Sequence, residues 1–162
     1  MKASLGQSSV ASDARNDNLT QETDASVDAF LSSVDHAGRV DDCRVVMGMM
    51  AQITGLPPKM WGNSLIGFGR YHYRYDSGRE GDFFVVGVSP RKANLVCYIM
   101  PGFKAFPELM GDLGRYKTGV SCLYLGRLKN VNLDVLRTLI EGSVKKMKQL
   151  YPNAIATAAD LD

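Results

Sequence analysis

Between about Ala37 and Thr54, apolar side chains return every three or four residues, at Val40, Cys43, Val46, Met47, Met50 and Ile53. That spacing puts them on one stripe of a helix. Gly55 allows a left-handed C-terminal residue, and Pro57 and Pro58 cannot continue the helix. A shorter helix is expected from about Ser26, which suits an N-cap, with Asp28 where the helix dipole favours an acid. From Trp61 the period changes to alternation. "NSLIGFGRYHYRYD" reads as one extended segment, with Gly67 and Gly69 marking a bulge or bend. Across those glycines the even positions change from apolar Ile66 and Phe68 to polar Arg70, His72 and Arg74. "DFFVVGVS", "LVCYIM" and "SCLYLG" are the further strands. The turns "DSGREG" and "SPRKAN", and a short helix from about Pro107 to Leu113, separate them.

A last helix starts after Asn132 as cap, with Val131 and Leu136 as a hydrophobic staple. Leu133, Leu136, Leu139, Ile140, Val144 and Met147 form its buried stripe, and Lys145, Lys146 and Lys148 suit its C-terminal end. Consecutive strands with short connections imply an antiparallel meander. The expected fold is α+β: a four- or five-stranded antiparallel sheet packed by an N-terminal helix pair and a C-terminal helix. Residues 1–24 are polar and lack apolar periodicity, so they read as a disordered tail. Residues 25–151 form the single domain and residues 152–162 a C-terminal tail.

Composition changes this picture little. With 162 residues, 45% hydrophobic and 22% charged, the chain is long enough to bury a core and has ordinary soluble character. No apolar run reaches the length of a membrane span, and Lys2 is followed by no apolar signal-peptide core. Cys43, Cys97 and Cys122 are odd in number, each in an apolar run, without metal-ligand spacing. They read as reduced thiols, which fits a cytoplasmic protein. The net charge of +2 is uneven: residues 1–42 carry three bases against eight acids, the remainder sixteen bases against nine acids. The basic body suits anionic partners, but there is no dense Lys/Arg stripe for nucleic acid.

Met60-Trp61-Gly62, Ser89-Pro90-Arg91-Lys92, Pro101-Gly102 and Lys117-Thr118-Gly119 occur in this order within the strand region. From about Ala25 to Val144 the chain thereby resembles the YdhG-like family, the domain of unknown function 1801. The resemblance implies a compact cytoplasmic α+β domain with no established general activity. One branch of that family resembles frataxin and acts as an intracellular iron chaperone. Iron would need clustered oxygen donors with some imidazole. Asp41 and Asp42, with Asp35 and His36 beside them, are the compact acidic group here, and helix N-terminal charge on a solvated face explains them better than a metal site, in a body that is otherwise basic.

Two enzyme-like motifs do not hold together. Ser89-x-x-Lys92 with Lys117-Thr118-Gly119 matches two of three serine β-lactamase signatures, but Ser89 ends a strand, so Lys92 does not follow it by one helical turn. "GDLGRYKTG" lacks the glycine before lysine and the following helix of a phosphate-binding loop. What remains is a polar set: Arg70, His72 and Arg74 on one strand face, Arg91 and Lys92 in a turn, and Lys117, Thr118 and Ser121 entering the last strand. Trp61 and Tyr98 stand beside it as flat apolar walls. The plainer reading is a half-wet antiparallel strand with Trp61 as a structural anchor. The functional reading is a site for a small anion with an apolar portion, contacted by Trp61, Arg70, His72, Arg74, Lys92 and Lys117. The expected function is a non-enzymatic binding module for a small anionic ligand or a protein partner, with no cofactor. Iron chaperoning is the alternative. A third reading is an enzyme using His72, its pKa lowered by the flanking arginines.

Overall fold

The structure, a computed structural model, describes residues 18–161, so most of the expected N-terminal tail lies outside the described residues. Two helices open the fold. Helix α1 (Val27–Ser32) is capped by Ser26, whose hydroxyl accepts from Ala29 N–H. Helix α2 (Ala37–Thr54) is capped by His36, whose Nδ1 accepts from Arg39 N–H, and ends at Gly55 with φ of 70°. Cys43, Val46 and Met50 of α2 are fully buried, and Val40, Met47 and Ile53 are half-buried. Arg39 and Asp42 are buried beside them, which the apolar stripe did not announce.

Among the described residues there are nine strands, one before the helices and eight after α2: β1 (Glu22–Thr23), β2 (Lys59–Trp61), β3 (Leu65–Phe68), β4 (Tyr71–Arg74), β5 (Glu80–Phe83), β6 (Val86–Pro90), β7 (Leu95–Ile99), β8 (Lys117–Thr118) and β9 (Cys122–Leu125). Seven form one antiparallel sheet in the order β1-β2-β3-β6-β7-β9-β8. The four- or five-stranded antiparallel sheet expected from alternation is present as five strands, extended by a two-residue strand at each edge. β4 and β5 form a separate hairpin. The extended segment predicted across Gly67 and Gly69 breaks at Gly69, whose φ of 77° turns the chain out of the large sheet. The even-position switch survives that break: Ile66 and Phe68 are in the core, whereas Arg70, His72 and Arg74 face outward.

Helix α3 (Pro107–Asp112) and helix α4 (Leu133–Leu150) complete the helical layer, with Asn132 Oδ1 accepting from Asp134 and Val135 N–H. α2 and α4 pack against each other and against β6, so one sheet face is roofed by helices. Met60, Ile66, Val88, Cys97 and Leu123 point into that main core. On α4, Leu136, Leu139, Ile140, Val144 and Met147 are buried as expected, but Leu133 is exposed and Ser143 takes a buried place. Residues after α4 also pack. Arg70 and Ile155 exchange backbone hydrogen bonds, Ala154 and Ala156 are buried, and Asp160 accepts from Ala156 and Thr157 N–H while pairing with Lys148 at 3.0 Å. No helix among the described residues is long and apolar enough to cross a membrane.

Candidate functional site

The second face of the large sheet carries its own small core of Trp61, Phe84, Val96 and Tyr98. Directly opposed residues in antiparallel pairs share a face. One row therefore runs Ser89, Val96, Tyr124, Lys117, and the next runs Gly67, Gly87, Tyr98, Cys122. Phe84, in the link between β5 and β6, lies over the two glycines: a Cβ at Gly67 would stand 2.6 Å from Phe84 and one at Gly87 2.7 Å from its ring. Glycine at both positions is what lets this ring reach the sheet. Trp61 meets Phe83 and Phe84 edge-on at 5.7 and 5.9 Å, and Phe84 meets Tyr98 edge-on at 5.4 Å.

At the β6–β7 turn end of this face, Arg91 donates through a guanidinium N–H to Tyr98 Oη at 2.6 Å. Burial raises the Tyr98 pKa, and Arg91 opposes that rise without cancelling it. Hydrogen bonding with Cys122 raises Tyr124. Among the described residues, no carboxylate lies within ion-pairing distance of Arg91, Lys92 or Lys117. Arg91 on the buried Tyr98 phenol and Lys117 opposite half-buried Tyr124 are thus carried on one face of the sheet.

The residues expected to form a single site are divided by the fold. Lys117 is on this face and Lys92 is exposed in the adjoining turn. Trp61 is on the face too, at 1% exposure, with an indole N–H that has no partner among the described residues. It is an anchor under Phe83 and Phe84 rather than an open wall. His72 and Arg74 belong to the separate hairpin, Arg70 leads into it, and all three are held by acids. Arg70 pairs with Glu22 at 2.8 Å and Arg74 with Glu80 at 3.1 Å. His72 Nδ1 lies 2.7 Å from Asp82 Oδ1 and Nε2 2.8 Å from Glu80 Oε1. An imidazole can donate from both nitrogens only as the cation. Partial burial pulls the His72 pKa down, but hydrogen bonds to Asp82 and Glu80 outweigh it, and the pKa is raised. The lowering by flanking arginines expected from sequence is overturned: two cross-strand acids hydrogen-bond the ring and hold its charged form. Hairpin register pairs His72 with Asp82 and Arg74 with Glu80. Arg91, Tyr124 and Phe84 are the residues that sequence reasoning undervalued, because their meeting depends on non-local strand pairing.

Of the acidic group of the first helices, Asp42 and His36 are engaged in folding, whereas Asp35 and Asp41 are exposed. Asp42 accepts from Arg127 Nε at 2.7 Å and Leu128 N–H at 3.1 Å. Desolvation raises its pKa, yet these hydrogen bonds and the charges of Arg127 and Arg39 leave it lowered. His36 spends Nδ1 on capping α2. Among the described residues, no group of three His, Cys, Asp or Glu side chains is placed to hold a metal ion. Ser89 Oγ donates to Ser64 O at 2.7 Å from within β6, so it does not open a helix toward Lys92. Compared with protein-family models, curated proteins and solved structures, the chain finds no match in any of the three.

Proposed function

We propose that the protein is a non-enzymatic, cytosolic binding module of YdhG-like type that takes a small anion with a flat apolar portion on the helix-free face of its sheet. The observation that carries this reading is Arg91, fixed on Tyr98 Oη at 2.6 Å with no acid within ion-pairing distance among the described residues. A guanidinium held in place offers two parallel donors to a carboxylate or phosphate and loses little freedom on binding. Tyr124 supplies a flat surface beside it, and Lys117, opposite Tyr124 in register, adds a second cation. The hairpin cations suit this role less well, since an incoming anion would have to displace Glu22, Glu80 or Asp82.

The test is a thermal-shift series with phenyl phosphate and benzoate at low and high salt. Stabilisation should weaken with salt. It should be lost in Arg91→Ala and reduced in Lys117→Ala, while Arg70→Ala and Arg74→Ala retain it. A shift that survives Arg91→Ala, or none with any anion, would overturn the assignment, the latter in favour of a protein partner.

A further inference from the structure

A groove of about 270 Å³ lies along α2, lined by Arg44, Met47, Gly48, Ala51, Pro58 and Phe68. It is distant in kind from the face just described, because Phe68 belongs to the core side of β3. Arg44, Met47, Gly48 and Ala51 follow helical spacing and make one continuous wall. Gly48 is the notable member. A glycine inside a helix costs stability relative to alanine. Here nothing stands within 4 Å of where its Cβ would be, so no packed neighbour requires it. Its effect is to keep the groove open. Met47 adds an adaptable thioether wall, and Pro58 and Phe68 close the other side.

The groove is apolar along its length and charged at one end. Arg44 is half exposed, and its acid partner Asp28 is 3.6 Å away and almost wholly in water, a weak and replaceable contact. From Arg44 to Ala51 the helix advances about 10 Å, the length of an extended chain of roughly eight carbons. We infer that this groove binds a medium-chain alkyl carboxylate, its head on Arg44 and its chain along Gly48 and Ala51 toward Pro58. The match of one cation to one open, apolar groove favours an occupant with a single anionic head and a slim apolar chain.

The experiment is calorimetric titration of the full chain with hexanoate, octanoate and decanoate. Affinity should rise up to about twofold per methylene, as for half-buried groups, up to roughly eight carbons and then level off. Gly48→Leu should abolish binding by filling the groove while leaving the protein folded and at least as heat-stable. Arg44→Gln should weaken it severalfold, and Asp28→Asn should tighten it by freeing Arg44. Arg91→Ala should leave it unchanged, which separates this site from the helix-free face. Affinity independent of chain length, or octanoate binding that persists in Gly48→Leu, would overturn the inference, as would no saturable binding at millimolar octanoate.

Discussion

Replacing Asp42 by alanine separates a structural carboxylate from a metal-binding one. The side chain occupies a closed corner between α2 and the turn after β9, where it accepts from Arg127 Nε and Leu128 N–H. Removing it leaves the buried Leu128 N–H without an acceptor, which costs about 1–3 kcal/mol. The ion pair with half-exposed Arg127 adds little to that. A total near 2 kcal/mol lowers the melting temperature of a domain this size by about 4–8 °C. Asp42→Asn keeps an acceptor for Leu128 and should lose roughly half as much. The sign with pH follows from the lowered pKa. The stabilisation is fully present above the unfolded-state value of about 3.9 and is lost as pH falls through the lower folded-state value. Melting curves of wild type and Asp42→Ala at neutral pH and at about pH 3 should therefore draw closer in acid, the remaining gap being the Leu128 N–H that a protonated carboxyl still satisfies. Equal melting temperatures at neutral pH, or a gap that widens in acid, would refute the reasoning. A stability loss that appears without added metal would also show that this carboxylate serves the fold.

Further outcomes follow from the same contacts. Gly87→Ala should destabilise by about 1–3 kcal/mol in urea unfolding, because its Cβ meets both Phe84 and the rigid Ile66 carbonyl. Gly48→Ala, with open space around it, should instead stabilise by about 0.5–1 kcal/mol. NMR titration of His72 should give a pKa above the ordinary imidazole value, returning toward it in Asp82→Asn and Glu80→Gln. Because the folded pKa is the raised one, the hairpin's gain is present below about pH 6.5 and fades as pH rises through the folded value. Thiol modification of native protein should strike half-buried Cys122 first, since burial pushes Cys43 up to about 12 and raises Cys97 as well.

The helices were legible because their signals are local. Ser26, Asn132 and Gly55 act on neighbours a few residues away, and the apolar stripe of α4 is written in one continuous segment. The α+β class followed from the same periodicities. What escaped depends on pairing across the chain. "DFFVVGVS" looks like one strand, yet it divides at Phe84 because that ring leaves the strand direction to cover Gly67 and Gly87. Ile155 looks like tail until Arg70 offers it a backbone partner made available by the turn at Gly69. The candidate site divided for the same reason. Arg70, His72 and Arg74 were correctly placed on one wet face, but a cation in sequence says nothing of the acid that register sets opposite it. Arg91, next to Lys92 in the same turn, differs from it by what strand β7 places within reach, namely the Tyr98 hydroxyl.

The most direct measurement is a backbone amide NMR titration of the full chain with phenyl phosphate at low salt. The account expects saturable shifts centred on Arg91, Tyr98, Tyr124 and Lys117, absent in Arg91→Ala. Shifts centred on Arg70, His72 and Arg74, or none that saturate, would contradict it.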